Sequence, residues 1–119
     1  MADLSGKLQL KPGLTMCVLN APSNFHWDSL SEKDPLKADA ILVFVPKAES
    51  LATLAMPAIE AAREDKLSWI AYPKDGQLGT DLSRDVLNER MKAKGLQGVR
   101  LISLDDTWSA MRFRPAKVR

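Results

Sequence analysis

The most constraining feature of this chain is a run of six apolar residues at positions 40–45, with the sequence AILVFV. Asp39 precedes the run and Pro46 ends it. Successive side chains of a strand point to opposite faces, so a run that is apolar at every position predicts a strand covered on both sides. We therefore expect residues 40–45 to form a central strand of a layered α/β domain.

Other apolar runs, bounded by turn residues, alternate with amphipathic stretches along the chain. Their spacing predicts four more strands, at residues 15–20, 68–72, 99–104 and 107–113. It predicts helices at residues 23–30, 47–66 and from about residue 81 to residue 94. The predicted element order is β-α-β-α-β-α-β-β. Helical crossovers imply parallel strands, with the last strand antiparallel to its neighbours.

Local signals refine this order. Pro57 removes an amide donor from the second helical stretch and predicts a kink or two abutting helices there. Thr80 and Asp81 are candidate N-cap residues for the third helix. Asp105 and Asp106 suit a tight hairpin turn between the last two strands.

Length and composition predict one domain over residues 1–119. The 17 Lys and Arg residues against 15 Asp and Glu give a net charge of +2. Such a mild charge does not favour nucleic acid or an anionic membrane as partner. The single cysteine, Cys17, cannot form an internal disulfide and fits a reducing compartment. No apolar run approaches the roughly 20 residues needed to span a bilayer. The first residues lack the layout of a signal peptide, so we expect a cytoplasmic protein.

The predicted crossovers place all helices on one face of the sheet, because right-handed connections that move one way along a sheet share a face. The opposite apolar face then needs a cover. Either residues 1–13 and 22–39 fold across it or a second subunit does. Both alternatives stay open from the sequence, and we favour a homodimer through this face.

The stretches LKPG at 10–13 and VLN at 18–20, the apolar strand after Asp39 and the antiparallel final pair resemble a class I methyltransferase. The resemblance covers that fold without its second and third strands. It implies a three-layer-derived, Rossmann-like sheet in the order 1-2-3-5-4, with the last strand antiparallel. In place of the family's acidic, glycine-rich motif for the methyl donor, this chain has NAPSN at 20–24. The resemblance therefore extends to topology, and no cofactor is expected.

A second resemblance covers nearly the whole chain. The motifs LKPG at 10–13, VLNAP at 18–22, AYPK at 71–74, TDLSRD at 80–85 and DDTWS at 105–109 occur in that order. They resemble a family of small uncharacterised bacterial proteins, classed as a domain of unknown function. This resemblance implies a bacterial, cytoplasmic protein with no established activity.

Candidate binding residues follow the three parallel strands, because ligands on open α/β sheets bind beyond the carboxyl ends of the strands. Asn20, Lys47 and Lys74 follow the first, second and third strand, and Arg84 and Asp85 lie at the start of the third helix. A helix N-terminus beside basic side chains predicts an anion site for phosphate, carboxylate or a nucleotide. The interpretation we favour is that the lysines are solvated and Arg84 pairs with Asp81, Asp85 or Asp105, and the anion site is the alternative.

Trp108 lies near the same edge and is predicted to line a cleft or a contact surface. Cys17 and His26 invite a thiol–imidazole dyad, but a mid-strand cysteine is normally a small buried hydrophobe. With one residue of each kind, a structural zinc site is not favoured. The adjacent carboxylates of Asp105 and Asp106 are weak evidence for a metal, and we expect one of them to bind turn amides instead.

A basic concentration closes the chain, at Arg112, Arg114, Lys117 and Arg119. It could contact phosphate, but without interleaved exposed aromatics we expect a solvated strand face and a frayed end. We predict no catalytic residue and no metal site. The favoured function is a non-catalytic binding or interaction domain. The alternative is an enzyme or sensor that binds a small anionic metabolite at the strand ends.

Overall fold

A computed structural model of the protein describes residues 4–27, 30–74 and 76–116. Five strands form one mixed sheet in the order β1-β2-β3-β5-β4. The first three strands are parallel, and β5 runs antiparallel to both β3 and β4. The strands are β1 (Met16–Leu19), β2 (Ala40–Phe44), β3 (Leu67–Pro73), β4 (Leu96–Ser103) and β5 (Trp108–Pro115). The α/β fold, the strand order and the antiparallel last strand are confirmed.

The run that dominates the sequence forms β2, and all five of its residues are buried. It lies between β1 and β3, and Leu42 pairs with Val18 on one side and with Trp69 on the other. A strand hydrogen-bonded on both edges and covered on both faces can be apolar at every position. The prediction of an inner strand is confirmed.

Four α-helices accompany the sheet in the described part of the chain, together with 3-10 turns at Ala48–Ser50 and Gln77–Gly79. The helices are α1 (Leu4–Lys7), α2 (Leu51–Leu54), α3 (Met56–Arg63) and α4 (Arg84–Lys92). Pro57 lies in the first turn of α3, where a missing amide hydrogen leaves no intrahelical bond unmade. The prediction of two abutting helices at this proline is confirmed.

The predicted helix at residues 23–30 is wrong for its described part, because residues 23–27 are not helical. The Phe25 amide donates to the Pro22 carbonyl in a turn, and the Phe25 ring packs edge-on to Phe44 at 4.9 Å. Phe25 and Trp27 both pack against the sheet, and these contacts stabilise the segment without helical hydrogen bonds. Residues 28 and 29 lie outside the described residues.

The predicted start of α4 is also corrected. Ser83, not Thr80 or Asp81, is the N-cap, and its hydroxyl accepts the Val86 amide at 3.2 Å. The Thr80 hydroxyl instead accepts the Leu82 amide, and the Asp81 carboxylate accepts the amide of Ala48 in the 3-10 turn after β2. Three polar residues, Thr80, Asp81 and Ser83, could each have capped the helix, and tertiary contacts selected the last of them.

Each face of the sheet carries its own apolar core. The first face holds alternate strand residues, such as Ile41, Val43 and Tyr72, packed against α2, α3 and α4. The second face holds the intervening residues, such as Leu42, Phe44 and Trp69, covered by Leu8 and Leu10 and flanked by Phe25 and Trp27. Helices α2 to α4 therefore share one face, as predicted.

The second face is covered by the chain itself. Leu8 is fully buried and Leu10 is 6% exposed, although both belong to the segment that precedes β1. Of the two covers considered from the sequence, the described residues supply the one in cis. The homodimer is not addressed by a single chain and stays a prediction. Among the described residues, no helix combines the length and apolar character that crossing a membrane requires.

Candidate functional site

A groove of about 450 Å³ lies where the carboxyl end of β3 meets the start of α4 and the hairpin of β4 and β5. It is on the first face of the sheet, beside the helices. Its lining combines aromatic, basic, acidic, hydroxyl and apolar side chains: Tyr72, Lys74, Ser83, Arg84, Asp85, Leu101 and Ser109. Three of the six residues predicted from the sequence, Lys74, Arg84 and Asp85, are brought together here.

Tyr72 forms the floor of the groove. As the next-to-last residue of β3 it is only 5% exposed, and its side chain belongs to the first core. Within the described part of the chain, its hydroxyl has no hydrogen-bond partner. Burial raises the pKa of this phenol, Arg84 lowers it and Asp85 raises it, which places both charges near the ring. The hydroxyl is therefore a protonated donor that still lacks an acceptor.

Lys74 forms one wall. Its backbone amide donates to the Thr107 carbonyl at 2.7 Å, which fixes the end of β3 against the turn before β5. Its ammonium group donates to the Ser103 hydroxyl at 2.6 Å. An ammonium has three donor hydrogens, so two remain for a ligand. No carboxylate among the described residues pairs with Lys74.

The first turn of α4 forms the opposite wall. Arg84 and Asp85 form a loose ion pair with 3.6 Å between Nε and Oδ1, and their side chains are 65% and 86% exposed. Exposed pairs of this kind contribute little, so Arg84 is free to turn toward a ligand. The Ser83 hydroxyl accepts one amide of the first turn, and the positive end of the helix dipole points at the groove.

Asn20 and Lys47 are not part of the groove. Asn20 follows β1 in the left-handed region at φ 57°, and its side-chain amide donates to the Phe44 carbonyl at 2.8 Å. It thereby ties the end of β1 to the end of β2. Lys47 is exposed and near Asp81, whose carboxylate accepts the Ala48 amide. Both residues lie at the predicted edge, where Asn20 makes a structural hydrogen bond and the Lys47 side chain makes no hydrogen bond or ion pair to a described residue.

Trp108 lies on the other face of the sheet. It is 6% exposed, packs in the second core and meets the Phe44 ring edge-on at 5.0 Å. The strand-end position was predicted from the sequence, but the pleat turns this side chain away from the groove. The residue beside it, Ser109, has the opposite orientation and lines the groove instead.

The structure separates the residues considered for nucleophilic or metal chemistry. Cys17 is buried, its thiol donates to the Lys33 carbonyl, and burial raises its pKa. His26 is exposed in the segment that covers the opposite face. Asp105 accepts the Thr107 and Trp108 amides at 2.8 Å, as expected of a turn carboxylate. Within residues 4–27, 30–74 and 76–116, no three acidic, histidine or cysteine side chains are grouped to hold a metal.

Sequence reasoning missed four lining residues: Tyr72, Ser83, Leu101 and Ser109. Tyr72 was counted only as the end of an apolar strand. Leu101 and Ser109 come from the β4–β5 hairpin, and their position depends on a register shift between Gly98 and Arg100 that no local pattern announces. The sequence offers one signal for the groove, which is the set of polar groups at the end of a parallel strand: Tyr72 followed by Pro73 and Lys74.

No family model, no curated protein and no solved structure matches the chain.

Proposed function

We propose that the protein is a non-catalytic binding domain whose ligand is a small anion held in the groove between Tyr72, Lys74 and Arg84. The observation that carries this proposal is the Tyr72 hydroxyl. It belongs to a side chain almost fully withdrawn from solvent, it lines the groove, and it has no acceptor among the described residues. The hydroxyl opens onto the groove, where a ligand oxygen would accept its hydrogen bond in place of solvent.

Charge supports an anion as the ligand. Lys74 and Arg84 carry two positive charges into the groove, against one negative charge on Asp85. The dipole of the nine-residue helix α4 adds partial positive charge at the same place. A carboxylate or phosphate oxygen placed over Tyr72 would accept from a phenol, an ammonium and a guanidinium together. Hydrogen bonds of this charge-assisted kind are the stronger ones.

Asp85 points to the chemistry of the rest of the ligand. Its carboxylate lies on the same wall as Arg84 and would repel a second negative charge. A ligand with one anionic end and a hydroxyl or amino group beyond it would fit both residues. We therefore place organic acids with a hydroxyl or amino group, and phosphate monoesters, ahead of polyanions such as triphosphates.

The alternative function, an enzyme or sensor acting on such a metabolite, uses the same groove. Burial raises the pKa of the Tyr72 phenol in this groove. A raised pKa suits a donor that holds a ligand rather than a base that accepts a proton near neutral pH. This favours binding without turnover.

The test is calorimetric titration with inorganic phosphate, glycerol phosphate and lactate. Tyr72→Phe removes one hydroxyl with little change of volume and should weaken the best ligand about tenfold. Arg84→Gln should weaken it about threefold, because this charge is exposed. Lys37→Gln is the matched control, since Lys37 is an exposed cation in the turn before β2 and should change nothing.

Two results would overturn the proposal. One is the absence of heat with every probe; the other is binding that Tyr72→Phe leaves intact. Conversion of a bound probe during overnight incubation, followed by proton NMR, would replace the binding domain with the enzyme.

A further inference from the structure

The second face of the sheet carries a cluster of arginines that the groove does not involve. Arg100 of β4 pairs directly with Arg112 of β5 in the antiparallel register. Directly opposite residues share a face, and these two lie on the same face as Ala110, on the side covered by the N-terminal segment. Like charges opposite each other on neighbouring strands destabilise a sheet. An arrangement of this kind calls for a compensating negative charge.

Arg112 is itself incompletely satisfied. Its Nη1 donates to Oε1 of Gln9 at 2.8 Å. Its Nε is closed to solvent and has no acceptor within the described residues. Leaving a buried charged donor without an acceptor is costly, more so than for a neutral group.

Arg114, two residues further along β5, shows how such a group is normally satisfied. Its Nε donates to one oxygen of Asp65 at 2.8 Å and its Nη2 donates to the other at 3.0 Å. This is the paired arrangement in which one edge of a guanidinium binds both oxygens of one carboxylate. On Arg112 the same edge, Nε with Nη2, makes no hydrogen bond to a described residue, because only Nη1 is engaged.

The charges around Arg112 do not balance. Arg100 and Arg114 both lower its pKa, burial lowers it more than either, and Asp65 opposes them. The carboxylate of Asp65 is already engaged with Arg114. Two of the three arginines are therefore left without a counter-charge among the described residues.

We propose that Arg100 and Arg112 form a second anion site, on the face of the sheet opposite the groove, which takes a phosphate group between their two guanidinium groups. The anion would bind the free Nε–Nη2 edge of Arg112 as Asp65 binds Arg114. A phosphate dianion offsets both unpaired charges, whereas a carboxylate offsets one. Because Nε is enclosed, the anion reaches it when a neighbouring side chain rotates. Arg100 is exposed, lies directly opposite Arg112 on the neighbouring strand and forms no ion pair with a described residue. Its side chain is therefore the one that can rotate to let the anion reach Nε.

This site is independent of the proposed function. The groove lies on the first face and uses Tyr72 and Arg84, and Arg112 belongs to the second face. Failure of either site leaves the other untouched. Lys117 and Arg119, which the sequence groups with this basic cluster, lie outside the described residues.

The test follows the Nε–Hε signal of Arg112 in a proton–nitrogen correlation spectrum, assigned by its loss in Arg112→Lys. Inorganic phosphate, glycerol phosphate, acetate and chloride are titrated at constant ionic strength. We expect a saturable shift of the Arg112 signal with inorganic phosphate or with glycerol phosphate. The probe that binds more tightly identifies the ligand as free phosphate or as a phosphate monoester. Arg100→Gln should weaken it about tenfold, in line with the loss of one charge-assisted contact.

Arg84→Gln serves as the matched control, because it impairs the groove and should leave the Arg112 signal responsive. Amide dispersion in the same spectrum shows that each variant is folded. The proposal is overturned if the Arg112 signal does not move with either phosphate probe, if acetate or chloride moves it equally, or if Arg100→Gln leaves the affinity unchanged.

Discussion

The indole of Trp69, in the middle of β3, donates its hydrogen to the backbone carbonyl of Leu8 at 3.0 Å. Both residues are fully buried. A carbonyl of the segment before β1 is thus held inside the second core by a side chain 61 positions further along. This bond explains how a short N-terminal segment stays on an apolar face that would otherwise need another cover.

Replacing Trp69 by phenylalanine should therefore release that segment. The change leaves the Leu8 carbonyl buried without its donor, and we expect a loss of about 1–3 kcal/mol in the free energy of unfolding. Urea denaturation measures it. Trp27→Phe is the control: the Trp27 indole donates to the Leu30 carbonyl at a partly exposed site, so its loss should cost less. Equal losses in the two variants would show that the buried bond has no special role.

The same variant bears on the predicted homodimer. If the N-terminal segment is what covers the second face, then Trp69→Phe should self-associate more than the wild-type protein. Sedimentation velocity of both proteins over a range of concentrations measures this. A wild-type dimer would support the predicted oligomeric state but not the predicted sheet face, which Leu8 and Leu10 cover. It would have to use a surface other than the face that Leu8 and Leu10 occupy.

Ser68 is the one polar residue among those described that is fully buried, and its hydroxyl donates to the Ala58 carbonyl of α3 at 2.7 Å. Ser68→Ala should lower the free energy of unfolding by about 1 kcal/mol, because the link between β3 and α3 is lost. Ser109→Ala is the control, since Ser109 makes no side-chain hydrogen bond to a described residue. It should stay within about 0.5 kcal/mol of the wild type. A larger effect at Ser109 would contradict this ranking.

Cys17 should be inert in the folded protein. Burial raises the pKa of its thiol, and Glu32 and Asp34 raise it further. The reaction with a disulfide reagent at about pH 8 should be at least a hundredfold slower in the native state than in urea, because it waits for local opening. The raised pKa also determines the direction in which the stability of the fold changes with pH. Between the ordinary and the raised pKa only the unfolded thiol ionises, so Cys17 makes the fold less stable as pH rises through that window. Fast native labelling would revive a nucleophilic role.

The sequence was sufficient for the sheet because its strongest signals are local. An apolar run such as 40–45, closed by Pro46, predicts an inner strand, and Pro57 predicts a kink or a helix end. The site was predictable in outline for a related reason: the ends of parallel strands meet at one edge, so Lys74 and Arg84 were expected to be neighbours. Asn20 and Lys47 reach the same edge, but the hydrogen bonds they or their neighbours make depend on three-dimensional packing. The orientation of Trp108 depends on register, which no single strand reveals.

Asp81 gives a pH dependence of the opposite sign to that of Cys17. The Ala48 amide donates to its carboxylate at 2.8 Å and lowers its pKa; burial opposes this, and Lys47 and Arg90 lower the pKa further. A carboxyl whose pKa is lower in the folded state stabilises the fold above its unfolded pKa, and that contribution disappears as pH falls through the folded value. The melting temperature should therefore fall below about pH 5, and Asp81→Asn should flatten this fall while Asp106→Asn should not. Calorimetry of the three proteins between about pH 2 and pH 7 measures the difference. If Asp81→Asn and Asp106→Asn follow the same curve, the Asp81–Ala48 bond does not link the loop before α4 to the 3-10 turn after β2 in solution.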